Sequence, residues 1–371
     1  MAELSVAHRA ALAQMLERTP DGMLKTLSGA VAKMRGEKAR ALGRMLAEET
    51  TDRKRRAVAF WPMIPLFRPR PDGVEAVTFP AGVLPRLWKA ASGREPALLP
   101  LLDDHHGRQD NPRLMAVSSR VCIAAAGLIR DQAAVIWPES PADPEGRERG
   151  LAELARCFDL ATLARRGLLL LPSLIQRPTE DQLAQLRLLI RDSGEVTPDG
   201  GPRMLEILFA HLTDAAVILR LVVQSSRAAG KEGMLSESEM AGFVNRLIAA
   251  VEARVGRIAA FKPGQGGRPG EGLKADIGWC AETLAELDAT LRMDPDGAWG
   301  KQARDARARI NRTLAVVLKS TDKALDTVMP TRRVPTSGRM TREVPDLEQP
   351  VTPEAVETAT ALMTLVGTRR V

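Results

Sequence analysis

The decapeptide "LLDDHHGRQD", residues 101–110, gathers the groups best suited to chemistry, with two of the chain's four histidines beside three aspartates. Asp103, Asp104, His105, His106 and Asp110 are of the types that ligate a metal ion or shuttle protons: carboxylates supply oxygen donors, and an imidazole titrates near neutrality. Adjacent side chains diverge, however, so neighbouring imidazoles rarely reach one ion. A polar loop between helices, closed by Gly107 and Pro112, accounts for the same composition. A second pair, His211 and Asp214, stands one helical turn apart. Catalysis by such a pair needs a nucleophile, and no G-x-S-x-G elbow is present to supply one. His211 shares a helical face with Met204, Leu208 and Ala215, which predicts a histidine at the edge of a core. The glycine-rich "PGQGGRPGEGLK" separates Gly267 and Gly272 as a phosphate-binding loop would, but Leu273 stands where that loop needs lysine. The pattern before it is also helical, whereas a phosphate cradle follows a strand. It reads as a linker.

The tripeptide Asp104-His105-His106 resembles the signature of the Asp-His-His phosphoesterases. The resemblance covers three residues. It implies an α/β fold with further aspartate motifs at strand ends, and this chain has neither that strand pattern nor those motifs. A metal-dependent hydrolase centred on Asp103 to His106 therefore ranks behind two non-catalytic readings.

The first of these rests on "RKRRAVAFWPMIPLFRPRP", residues 53–71, in a chain with seven Phe, five Trp and no Tyr. Phe60, Trp61 and Phe67 fall within eight positions, fenced by Arg53, Lys54, Arg55 and Arg56 on one side and Arg68 and Arg70 on the other. If buried, the stretch docks Phe60, Trp61, Ile64 and Phe67 as a hydrophobic corner, and the cations mark where the chain surfaces. If exposed, these residues form a partner-binding anchor, because each large side chain contributes roughly 1.5–3 kcal/mol when buried and prolines lower the entropy lost on ordering. The cations would then engage carboxylates, phosphates or an anionic membrane surface. Three aromatics also suit base stacking, but their scarcity elsewhere argues against a broad single-strand interface.

The positioning elements are expected to be helical. Ala, Leu and Arg dominate, and β-branched runs are few. At 371 residues, with 44% hydrophobic and 27% charged residues, the chain is long and apolar enough to bury cores for two domains. The opening "MAELSVAHRA" lacks the pattern of a secretory signal. The apolar "GLLLLPSLI" is about half the length of a membrane span, so no transmembrane segment is expected. Cys122, Cys157 and Cys280 are odd in number and widely spaced, which predicts free thiols in a reducing, cytoplasmic setting. Net charge is +7, unevenly distributed: residues 1–58 hold twelve Lys+Arg against seven Asp+Glu, and residues 300–371 hold thirteen against eight. Basic ends suit an acidic protein, nucleic acid or an anionic membrane face, and they also serve solubility.

Periodicity and caps predict an all-α, multi-helix, two-domain protein with a short irregular β-hairpin-like insertion near residues 57–80. Residues 1–137 form the N-terminal domain, with one helix over about 4–18 and another from 20 to about 50. Residues 138–146, "PESPADPEG", read as a linker. Residues 147–328 form a C-terminal bundle with one central helix over 204–223. Thr179 with Gln182 and Ser236 with Glu239 read as capping boxes. In "KQARDARARINRTLAVVLKSTDKAL", Ile310, Leu314, Val317 and Leu325 make an apolar side, and Arg304, Arg307, Arg309 and Arg312 a solvated one. Residues 329–350 read as a flexible linker. Residues 351–371 read as a docking helix whose stripe of Val356, Leu362 and Val366 seats in cis or on a partner. No cofactor is expected. The expected function is that of a cytosolic adaptor, scaffold or regulator binding a protein, with nucleic-acid binding through the basic ends as the alternative.

Overall fold

The computed structural model describes residues 6–103, 109–138, 143–176, 178–214, 216–228, 237–260, 271–293, 300–335, 341–346 and 351–367. Over these residues the protein is mostly helical, with a two-stranded antiparallel sheet near the C-terminal end. Its contacts gather into two units. One comprises Met1–Pro69, Val77–Pro172 and Leu189–Ala210; the other comprises Arg70–Ala76, Ser173–Leu188 and His211–Val371.

The first unit opens with α1 (Val6–Arg18), α2 (Asp21–Ala32) and α3 (Glu37–Ala59). These three share a core of Leu16, Leu24, Val31 and Leu46, with Leu27, Leu42 and Met45 packed against it. The helix expected from 20 to about 50 is two helices. The chain breaks before Gly36, whose φ of 120° is cheap only without a Cβ. Beyond the break, α3 runs further than expected, to Ala59.

The β-hairpin-like insertion near 57–80 is corrected accordingly. Residues 57–59 finish α3, and Ile64–Phe67 form a 3-10 turn. The two halves of the expected hairpin meet through a single backbone hydrogen bond, Phe79 N to Leu66 O at 2.7 Å, without a ladder. The reason lies in the spacing. Phe60, Met63, Leu66 and Phe67 are buried, and intervals of three and four belong to a helical period rather than to strand alternation. Pro65 opens the turn, a position where its fixed φ fits and its missing N–H costs nothing.

α4 (Val83–Arg94), α5 (Pro112–Asp131), α6 (Ala133–Ile136) and α7 (Pro144–Asp159) follow. Phe60 is buried against α4 and α7, edge-on to Trp88 at 5.7 Å and to Phe158 at 5.0 Å between ring centroids. α5 and α7 pack directly together. α7 begins inside the expected linker, with Asp143 capping it by accepting from Gly146 N at 2.9 Å. By length and composition α5 can cross a membrane, and half of its apolar window is buried in the protein. α8 (Ala161–Gln176) and α9 (Glu180–Val196) come next. At the start of α9, Thr179 N donates to Gln182 Oε1 at 2.9 Å and Gln182 N donates to Thr179 Oγ1 at 3.3 Å, the reciprocal capping box that was expected. Ser236 lies outside the described residues. The turn into α10 (Gly200–His211) needs a glycine, since a Cβ on Gly200 would stand 1.8 Å from Ser193 O.

In the second unit, α11 (Val217–Ala228), α12 (Glu237–Ala260), α13 (Glu271–Met293) and α14 (Gly300–Val328) form a bundle. The single helix expected over 204–223 is interrupted after His211, and Asp214 accepts from Ala216 N at 3.0 Å to help start α11. The apolar stripe of α12 is buried as its spacing requires: Phe243, Leu247, Ile248, Val251, Val255 and Ile258 are each under 5% exposed. The expected flexible linker 329–350 holds β1 (Thr331–Pro335) and β2 (Thr341–Pro345), paired so that Arg333 stands opposite Glu343. Its prolines mask this in the sequence, yet two of them sit at strand ends, where a missing donor is tolerated. α15 (Pro353–Gly367) packs on α13 and α14. Its inward stripe is Ala359, Leu362 and Leu365, whereas Val356 is exposed.

Candidate functional site

Four consecutive cations on a helix diverge by about 100° per residue, and α3 sends Arg53, Lys54, Arg55 and Arg56 to four different fates. Arg53 reaches back to the end of α1, donating to Leu16 O at 2.8 Å and Glu17 O at 3.0 Å. Its remaining donors meet Glu49 Oε1 at 2.7 Å and Asp21 Oδ1 at 2.5 Å. Burial works against its charge, but the hydrogen bonds to Glu49 and Asp21 win and hold its pKa above the usual arginine value. Arg55 forms a bidentate pair with Asp103, at 2.9 and 2.6 Å. Arg56 is drawn inward, and burial lowers its pKa. Only Lys54 is exposed among the four.

The apolar part of the stretch is core. Phe60 and Phe67 are buried, at 0% and 4% exposure, and Phe67 packs against Phe79 at 5.7 Å. Trp61 is half-buried, with the guanidinium of Arg165 5.3 Å from its ring centroid. Arg68 is exposed. Arg70, in the second unit, is buried; it pairs with Asp72 through two hydrogen bonds and donates to Leu212 O at 2.9 Å. The stretch is thus brought together as a hydrophobic corner, and of its polar fence Lys54 and Arg68 face water.

The arginines share a structural habit. Arg165 donates to Val58 O at 2.7 Å and Ala59 O at 3.3 Å, the last carbonyls of α3. Within the second unit Arg220 donates to Ile175 O near the end of α8, at 2.9 Å. With Arg53 at the end of α1, guanidiniums repeatedly close helix C-termini, where the helix dipole is negative and carbonyls lack intrahelical partners. Arg307, expected on the solvated face of α14, is buried and pairs with Asp288 at 3.0 Å, while Arg304, Arg309 and Arg312 are exposed.

The Asp–His cluster divides. Asp103 is occupied by Arg55, and Asp104, His105 and His106 lie outside the described residues. Among the described residues no three His, Cys, Asp or Glu side chains converge as a metal site. Asp214 serves the start of α11. Cys122, Cys157 and Cys280 are free and buried, and burial pushes each thiol up to about 12.

What the sequence reading missed is the partner of Lys54 across a groove. Between α2 and α3 runs a depression of ≈ 550 Å³, lined by Asp21, Leu24, Lys25 and Ser28 from α2 and by Thr50, Arg53, Lys54 and Ala57 from α3. Both sets follow i, i+3, i+4, i+7 spacing, which puts each on one helical face. That periodicity was visible in the sequence, but the pairing of the two faces was not. Leu24 is buried at the base, while Lys25, Ser28 and Lys54 are exposed. Three cations stand against one carboxylate, and Arg53 already holds that carboxylate. The arrangement presents two ammonium groups around an apolar floor. No protein-family model, no curated protein and no solved structure matches the chain.

Proposed function

We propose that the protein acts without catalysis, as a helical scaffold or adaptor that binds another protein through its N-terminal helices. The observation that supports this most is the groove between α2 and α3, which two exposed lysines border and which no helix of the first unit's described residues is seen to fill. The three N-terminal helices have their own core, so the surface is carried on a rigid support rather than on a loop. Exposed cations continue along the same helices at Lys33, Lys38, Arg40 and Arg44, interspersed with exposed Glu37, Glu48 and Asp52. A mixed-sign surface of this kind favours a partner with spaced charges over the uniform negative rail of a nucleic acid. With Phe60 and Phe67 in the core, the aromatic stretch offers no open platform for stacking bases.

The test is site-specific photocrosslinking in the cell of origin. A photoreactive residue is placed in turn at Lys54, Lys38, Arg149 and Lys319 of the full chain, all of them exposed. A discrete protein adduct concentrated at the N-terminal positions is the expected result. Adducts to nucleic acid, protein adducts confined to Arg149 and Lys319, or no protein adduct above background at any position would overturn the proposal.

A further inference from the structure

We infer that the groove between α2 and α3 receives an acidic amphipathic helix from a protein partner, an inference that rests on the scaffold reading above. Two antiparallel helices with a depression between them form the seat that a third helix fills, apolar face down, in helix-in-groove recognition. The floor supplies Leu24 and the rim supplies Lys25 and Lys54. Neither lysine makes an ion pair or a hydrogen bond with another described residue, and Arg53 is the cation that pairs with Asp21 and Glu49. The groove is therefore left with two exposed lysines, one from each helix, beside a short apolar strip of Leu24 and Ala57. An incoming helix that places leucines on the strip and a glutamate toward each lysine complements both features. A phosphate-rich polymer complements only the charge, and it would lay a phosphate beside Asp21, which repels it. The same carboxylate, at the N-terminal end of α2 and hydrogen-bonded to Arg53 at 2.5 Å, sets an end to the strip and favours the partner orientation that keeps its own acids toward Lys25 and Lys54.

The experiment uses the full chain and a fluorescent amphipathic peptide of about sixteen residues, with leucines at i, i+3, i+4 and i+7 and glutamates flanking them. Its lysine-substituted counterpart, phosphatidylserine vesicles and a short single-stranded oligonucleotide are run in parallel. The expected result is that the acidic peptide binds and that K25E/K54E weakens it by about tenfold or more. The lysine-substituted peptide should then bind the charge-reversed protein in its place. Ser28→Trp, which fills the groove without changing its charge, should also abolish binding, and circular dichroism checks that each variant is folded. Equal binding by wild type and K25E/K54E, or no binding of the acidic peptide, would overturn the inference. So would vesicles or the oligonucleotide binding in preference, with K25E/K54E losing them. Photocrosslinks to a protein that persist at Lys38, outside the groove but on the same N-terminal helices, in that event leave the scaffold reading standing, so the two fail separately.

Discussion

Arg165 illustrates how little of a side chain's role is visible in its type. It is 3% exposed, and its guanidinium donates to Val58 O, Ala59 O and Gln109 Oε1 while lying against Trp61. Burial lowers its pKa, but a guanidinium starts so high that it stays charged at any physiological pH. Arg165→Met would leave the last carbonyls of α3 buried and unmatched. A loss of about 1–3 kcal/mol follows from the cost of orphaned buried acceptors, to be read as a fall in the urea midpoint. Arg165→Lys should recover only part of it, since one ammonium cannot reproduce the planar fork. The three thiols make a second prediction. Burial raises each from 9.0 to about 12, so the unfolded chain releases these protons before the folded one does. Their contribution is complete below pH 9 and is lost as the pH rises towards about 12. Native protein at pH 8 should resist a thiol reagent that labels all three cysteines in denaturant, and a cysteine that reacts without unfolding would contradict the burial.

Helices were legible where their period is sustained, and their ends were not. The stripe of α12 and the capping box of α9 followed from spacing and residue type alone, because both are local. The breaks at Gly36 and after His211 were missed, since a helical period continues through each and only packing shows that the axis turns. The reverse error occurred at 329–350, where Pro and Gly suggested a tether and the residues between them pair as β1 and β2. α15 takes the in-cis alternative expected of the last helix, packing on α13 and α14. Its inward residues Leu362 and Leu365 are fully buried, so the helix is part of the bundle rather than a detachable end. Leu362→Ala should cost about 2–5 kcal/mol, the range for truncating a buried leucine, measured by chemical denaturation. A chain ending at residue 350 should lose cooperativity in the second unit and bind a hydrophobic dye. An unchanged melt for that truncation would mean α15 adds nothing to the fold.

For the chain taken together, net charge predicted a sticky surface, and the fold uses much of that charge internally. Of the opening cationic run, Arg53 closes α1, Arg55 holds Asp103 and Arg56 is drawn inward, which leaves Lys54 as the exposed member of the four. The proposed association through Lys25 and Lys54 should be steered by charge: the on-rate falls as ionic strength rises and the off-rate hardly changes. Surface plasmon resonance across a salt series with the photocrosslinked partner reads both rates. An off-rate that carries all of the salt dependence would place the charges inside a desolvated contact and contradict an exposed rim.

Composition and period were enough to specify that this chain folds as packed helices, because burying an apolar stripe every 3.6 residues is a local property written at each position. They also pointed to free thiols at Cys122, Cys157 and Cys280, and the structure holds all three free and buried. Which aromatics are core, which arginines close helix ends and which lysine faces a groove were decided only in the tertiary structure. Each of those depends on a residue tens of positions away: Val58 with Arg165, Arg55 with Asp103, Lys25 with Lys54. A one-dimensional pattern carries the direction in which a side chain leaves its own helix, and packing alone supplies what it meets there.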